Sequence, residues 1–342
     1  MKKKILPLII AAATAASAFT VSAAEGENLV VLGDSITTGY GLDGYVSGDN
    51  TSAADSFANR LSGQFSGYEN LAVDGRTSAQ LLASLSEEET SSALENADTA
   101  VISIGGNDLL QPLISAAQMS ILSDTEFIQG MMDGSITEED ILNKMAETDM
   151  ESIVQTALDS IDMTVTGDNI NNILAGINEI NPDCDIYILT VYNPYENSGD
   201  MGDPEEISYI IEELNDAITY YAPMYDNVTV VDVHTAFKGK AEEYTNILQM
   251  DIHPNKEGHS VIYDMLTNAT QNNTAETPVQ EPDKEIAEET VKETAGENVV
   301  YAPAPDNTES SPNSGNTSDG VYMGVLAAAF GIAFLMKKGS VK

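Results

Sequence analysis

The chain has 342 residues, with 55 Asp and Glu against 14 Lys and Arg, a single Cys, and a formal net charge of -41. That charge repels phosphate backbones and argues against a nucleic-acid partner, and one Cys forms no intramolecular disulfide, which excludes a disulfide-stapled scaffold. The 42% hydrophobic content is too high for a wholly disordered chain, and the length suits two average domains or one larger one.

Six of the 14 basic residues sit at the ends, at Lys2, Lys3, Lys4, Lys337, Lys338 and Lys342. Lys2 to Lys4 precede an apolar run from Ile5 to Val21 and the small residues Ser22, Ala23 and Ala24. This order is that of a secretory signal peptide over residues 1–24, with the mature chain starting near Ala24 or Glu25. A retained N-terminal membrane anchor is the alternative.

Residues 25–270 are the expected globular body, 44 acidic and 6 basic, hence about 38 charges negative. Short continuous apolar runs recur at Leu29–Leu32, Leu71–Val73, Ala100–Ile104, Ile186–Val191 and Val228–Val233. Continuous rather than alternating runs suit strands buried on both faces of a parallel sheet. Helix-compatible stretches alternate with them at Ala53–Leu61, Ser78–Leu85, Asp168–Ile180, Glu205–Tyr221 and Pro254–Leu266. Asn181, Pro182 and Asp183 stop one of these helices. The alternation predicts a three-layer α/β/α, flavodoxin-like domain with a mostly parallel five-stranded sheet.

Ligands of such sheets bind beyond the carboxyl ends of the strands. The residues there are Gly33-Asp34-Ser35, Asp74-Gly75-Arg76, Gly105-Gly106-Asn107-Asp108, Asp232-Val233-His234 and Asp251-Ile252-His253-Pro254-Asn255. A Ser, a Gly, an Asn and a His at one edge are the set that acyl transfer requires: a nucleophile, a base and donors for an oxyanion. Asp34 reads as structural, satisfying backbone donors around the nucleophile turn. Cys184 reads as a buried thiol.

Between Asn107 and the fourth strand, the stretch from Leu109 to Asp185 is 77 residues long, far more than one crossover helix needs. A helical insertion is expected over about 109–165, with helices near Ile114–Leu122, Asp124–Met132, Glu138–Met145 and Ser152–Ile161. It carries Met119, Met131, Met132, Met145, Met150 and Met163. Adaptable Met side chains suit an acyl pocket under a lid; ordinary helix packing is the alternative.

Residues 271–320 hold 11 acidic and 2 basic residues and five Pro without an apolar period, a disordered, self-repelling stalk. Val321 to Met336 then form a 16-residue apolar stretch before Lys337 and Lys338. As a helix it spans about 24 Å at ~1.5 Å per residue, short for a ~30 Å hydrocarbon core. Together with Ser311-Pro312-Asn313-Ser314-Gly315, this end resembles a Gram-positive sortase sorting signal, with Ser314 where Thr is usual. A membrane tail at 321–336 within a 321–342 anchor is the alternative. Both place the body outside the cell, with sortase, peptidoglycan or the membrane as the tethering partner.

The four strand-end blocks, in order, resemble the SGNH hydrolases, also called the GDSL esterase/lipase family. They are Gly33-Asp34-Ser35 with Ile36-Thr37-Thr38-Gly39, Asn70-Leu71-Ala72-Val73-Asp74-Gly75, Gly105-Gly106-Asn107-Asp108, and Asp251-Ile252-His253-Pro254-Asn255. The resemblance spans residues 28–268 and implies Ser35 as nucleophile and His253 as general base. It implies the Ser35 and Gly75 backbone N–H groups and the Asn107 amide as the oxyanion hole. It departs in one place: the family's Asp stands three residues before the His, a position held here by Met250, and Asp251 stands two before. Either Asp251 or the Met250 carbonyl orients the His253 ring. His234 is a rival base by its position at a strand end, and His259 reads as a surface or packing residue. No metal-ligand spacing and no phosphate loop appears, so no cofactor is implied.

The resulting expectation is a surface-tethered serine esterase acting on neutral acyl esters. The alternatives are an acyltransferase for cell-wall or polysaccharide acyl groups, which shares the same residues, and a non-catalytic surface binding module.

Overall fold

The computed structural model describes residues 27–122, 150–196, 205–249 and 251–275, with single positions between 124 and 140. The expected signal peptide and anchor, all but the start of the stalk, and Met250 lie outside these residues.

Five strands form the expected parallel sheet: β1 (Asn28–Gly33), β2 (Gly67–Asn70), β3 (Thr99–Ser103), β4 (Asp185–Leu189) and β5 (Val228–Val231). Their order is β2-β1-β3-β4-β5, and all four pairings are parallel. The second strand lies earlier than the apolar run Leu71–Val73. That run follows the strand as an extension, with the Leu71 and Val73 N–H groups donating to the Val31 and Gly33 carbonyls at 2.9 and 3.0 Å.

Successive side chains of a strand face opposite ways, and here both faces are covered. Val30 and Leu32 of β1, with Ala100 and Ile102 of β3 and Ile186 and Ile188 of β4, face one layer of helices. That layer is α3 (Ser78–Ser84), α4 (Glu88–Glu95), α7 (Met163–Ile180) and α8 (Glu205–Tyr221), through Leu81, Leu94, Ile173 and Leu214. Leu29, Val31, Val101, Tyr187 and Val231 face the other, against Phe57 and Leu61 of α2 (Phe57–Leu61) and Ile262 and Leu266 of α11 (Lys256–Ala275). Each fully buried Val, Leu, Ile or Phe among them contributes about 1.5–3 kcal/mol.

Local signals set the helix ends. Thr77 and Gln80 form a reciprocal capping box at the start of α3, Asp162 caps α7, and the Asn181 amide ends α7 by donating to the Leu94 and Ala97 carbonyls. The helix α4 and the extension of α11 to Ala275, five residues into the expected stalk, are additions to the expected pattern.

Of the insertion, the structure describes α5 (Gly106–Leu122) and α6 (Met150–Leu158). They pack on each other through Leu113, Ile114, Ala117, Ile153 and Ala157, a satellite core apart from the sheet. The helices expected near Asp124–Met132 and Glu138–Met145 fall largely outside the described residues. Three short helices complete the frame near the site: α1 (Ser35–Thr38) directly after β1, α9 (Val233–Phe237) after β5, and α10 (Ala241–Tyr244) after α9.

One glycine controls how closely α1 approaches the sheet. A Cβ on Gly33 would lie 2.4 Å from the Ser103 carbonyl oxygen and 2.4 Å from Thr37 Oγ1. Gly33→Ala is therefore expected to lower stability by about 2 kcal/mol or more, because the clash is with backbone. Urea unfolding measures this, and a loss below about 0.5 kcal/mol would show that the turn gives way instead.

Candidate active site

β1 pairs on one side with β2 and on the other with β3, so the connections diverge at its carboxyl end and leave a crevice there. Ser35 stands in that crevice as the first residue of α1. The cap of this helix is Asp34, whose Oδ1 accepts the Ile36 N–H at 3.0 Å. Asp34 thus takes the capping duty and leaves the Ser35 hydroxyl free to face a base. Among the described residues, the Ser35 backbone N–H has no acceptor within the protein.

The Ser35 hydroxyl faces His253. Its Nε2 lies 2.9 Å from Ser35 Oγ, and its Nδ1 is hydrogen-bonded to Asp251 Oδ1. The same carboxylate oxygen accepts the His253 backbone N–H at 3.0 Å. These partners specify the tautomer, with the proton on Nδ1 and Nε2 as acceptor. Burial pushes the Asp251 carboxyl up, but its bonds to His253, the His253 charge and the Asn246 side chain outweigh this and hold it below the usual carboxylate range. Tyr40 lies over the imidazole, ring centroids 4.5 Å apart, and the Tyr192 hydroxyl donates to the Ile252 carbonyl at 2.7 Å. Pro254 and Asn255 follow, and the Asn255 side chain accepts the Glu257 and Gly258 N–H groups at the start of α11.

Gly75 sits in the turn that follows the β2 extension, at φ +73°. Its Cβ position is open space, so the backbone conformation, not crowding, calls for glycine. Four hydrogen bonds hold this turn. Gln111 of α5 donates to the Gly75 carbonyl at 2.7 Å, Arg76 donates to the Leu71 carbonyl at 2.8 Å, and Asp74 accepts from Thr38 Oγ1 at 2.6 Å and from the Tyr45 hydroxyl. Asn107, in the first turn of α5, is buried, and its amide donates to the Arg76 carbonyl at 3.1 Å and to Asp34 Oδ2 at 3.2 Å. Gln111, Tyr45 and Tyr40 were not singled out from the sequence, because each belongs to the site only through contacts distant along the chain.

The other His residues stand apart. His234 Nδ1 bonds the Val191 carbonyl at 3.1 Å, and the ring does not line the cleft. His259 is fully buried, stacks on Phe57 and accepts the Phe57 N–H at 3.2 Å. Burial pushes its pKa down to about 3, so it remains a neutral packing residue. Cys184 is buried and free, its thiol pushed up to about 12, again by burial first.

A cleft of about 700 Å³, open to solvent, begins at Ser35 and His253. Leu109, Leu110 and Leu113 of α5 form one wall, and Ile207, Ile210 and Ile211 of α8 form another. Pro194 and Tyr195, from the segment after β4, and Ile252 close it. The insertion thus contributes leucines to the cleft. Met119 is 70% exposed and Met163 packs on the sheet core. Met131, Met132, Met145 and the Met150 side chain lie outside the described residues.

An open apolar cleft, a Ser–His contact and a parallel sheet thus meet at one edge of the domain. The model of the GDSL-like lipase/acylhydrolase family matches residues 31–261. The chain belongs to that family and is a carboxylic ester hydrolase. The uncharacterized protein YpmR of Bacillus subtilis (strain 168) is 25% identical over 241 residues, covering 69% of this chain and 79% of that protein. The lipase Lip_vut3 from a goat rumen metagenome has a similar structure, with a TM-score of 0.48 and 21% identity over 71% of this chain and 97% of its own. An extracellular lipase from Streptomyces rimosus has a TM-score of 0.48 and 17% identity over 71% of this chain and 99% of its own.

Asp34 supplies a pH signature. Burial raises its carboxyl from 3.8 to about 7; the Ile36 N–H and the His253 charge pull it down, and Asp108 and Asp74 push it up. A carboxyl raised on folding favours the native state most below its unfolded value. That contribution is lost as pH rises through the folded value. Stability due to Asp34 therefore falls between about pH 4 and pH 7. In Asp34→Asn, urea unfolding free energies should decline less across that window, by up to about 1.4 kcal/mol per pH unit. Parallel curves for the two proteins would remove Asp34 as the source.

Proposed function

We propose that this chain is a surface-tethered serine esterase that cleaves neutral esters carrying a hydrocarbon acyl chain through an acyl-enzyme. The observation that carries the reading is the continuous line Asp251–His253–Ser35 at the mouth of an apolar cleft.

Ser35 Oγ attacks the ester carbonyl as His253 Nε2 takes its proton, and Asp251 stabilises the resulting imidazolium. The oxyanion of the tetrahedral intermediate takes the Ser35 and Gly75 backbone N–H groups and the Asn107 amide. Asn107 reaches it by exchanging one of its bonds, to Arg76 or to Asp34. Each such donor is worth about 10²–10³ in rate. The intermediate collapses, and His253 returns the proton to the departing alcohol. Water then attacks the acyl-Ser35 ester, again losing its proton to His253, and the acid leaves with the Ser35 oxygen protonated once more.

The apolar walls favour an acyl chain over an acetyl group, since each buried methylene contributes about 0.8 kcal/mol. The negative body weakens encounter with anionic substrates at low salt. The 1–24 signal, the 271–320 stalk and the 321–342 anchor support an exported enzyme held at the cell surface, with Ser311–Gly315 as the sorting motif.

Two experiments test this. On a 4-nitrophenyl ester series, turnover should rise from acetate to octanoate and fall by about 10³-fold or more in Ser35→Ala. Leu110→Trp and Ile207→Trp, both at half-buried cleft positions, should depress octanoate more than acetate. Equal losses on all chain lengths would remove the acyl chain from this cleft. For the tether, muramidase should release the mature protein from cells where detergent alone does not; release by detergent alone assigns the membrane tail instead.

A further inference from the structure

The acid of the proposed triad stands one residue closer to its histidine than the related sequence pattern has it. A two-residue separation leaves Asp251 little freedom, so its placement depends on what surrounds it. Its Oδ1 closes a local turn onto the His253 backbone N–H at 3.0 Å, which brings the same oxygen to Nδ1 of the ring. The ends of the segment are joined by Asn246. Its N–H donates to the His253 carbonyl at 2.9 Å, and its carbonyl accepts the Asp251 N–H at 3.2 Å and the Gln249 N–H at 2.8 Å.

The remaining carboxylate oxygen has its own support. A Cβ built on Gly41 would lie 2.9 Å from Asp251 Oδ2 and 3.1 Å from the Asn246 amide nitrogen. Both atoms therefore converge on the bare face of Gly41, which has φ +84°. The Asn246 side chain is also among the influences that keep Asp251 ionised.

We propose that Asn246 is a positioning residue, which with Gly41 opposite it locks Asp251 onto the His253 ring and so makes the shortened spacing workable. The inference rests on the Ser35–His253–Asp251 reading. It assigns Asn246 no contact with substrate. Its main chain closes the loop, and its amide holds the acid.

The test is a double-mutant cycle on the full chain. Asn246→Ala should lower kcat by about 10- to 100-fold with KM nearly unchanged, because the base is misaligned after binding. In an Asp251→Asn background the same substitution should cost less than about twofold, since the residues it acts through are already disabled. Gly41→Ala, on a separate loop, should show the same dependence on Asp251. Losses that multiply in both backgrounds would make Asn246 and Gly41 general supports of the loops and overturn the proposal. Where Asn246→Ala does not fold, Gly41→Ala decides by the same criterion.

A second readout does not need turnover. The low-field NMR resonance of the His253 Nδ1 proton should shift or broaden in Asn246→Ala and stay in place in Ser35→Ala. An unchanged resonance in Asn246→Ala overturns the proposal whether or not Ser35 proves to be the nucleophile. Full ester turnover in Ser35→Ala instead removes the serine-esterase reading and leaves this resonance to decide the role of Asn246.

Discussion

Burial of the parallel sheet on both faces is the constraint on which the rest of the molecule depends. With helices against each face, the polar groups that the chain must keep accessible have only the sheet's edges to occupy, and the loops at the carboxyl edge gather them. β1 sits centrally and pairs parallel with both β2 and β3, so the segments following these strands fan out around one crevice. Ser35, Gly75 and Asn107 occupy it for that reason. Gly33 sets how near the turn that carries Ser35 lies to β3, because no side chain fits against the Ser103 carbonyl.

The site is acidic and short of cations, and its carboxylates are held by neutral donors. Asp34 accepts the Ile36 N–H and the Asn107 amide, Asp74 accepts two hydroxyls, and Asp108 accepts both the backbone N–H and the hydroxyl of Ser78. Ion pairs on the outside, such as Lys256 with Asp55 at 2.8 Å, join exposed groups and add little to stability. Neutral donors fix geometry without neutralising charge. The crevice therefore keeps carboxylates close around His253, while Asp34 tends to protonate near neutrality.

Much of this was legible along the chain. Continuous apolar runs marked a two-sided parallel sheet, and the Ser, Gly, Asn and His blocks at the strand ends marked the chemistry. The second strand was read too late because Leu71–Val73 is more apolar than Gly67–Asn70, yet backbone pairing, not side-chain hydropathy, decides where a strand lies. The methionines of the insertion suggested a lining that leucines and isoleucines supply, since which face of a helix meets the cleft depends on how that helix packs. Among three histidines, position at a strand end made His234 a rival, and its bond to the Val191 carbonyl takes it elsewhere.

The order of residues by itself determined the fold class and the strand-end loops that carry Ser35, Gly75 and Asn107, because each is specified within a few neighbouring positions by turn residues and an apolar run. Only the tertiary structure decided that Asp251 reaches His253 from two residues away, that Asp34 and not Ser35 caps the first helix, and that Gln111, Tyr45 and Asn246 brace the site. Those roles join segments far apart along the chain. They depend on distances that exist only once both faces of the sheet are buried.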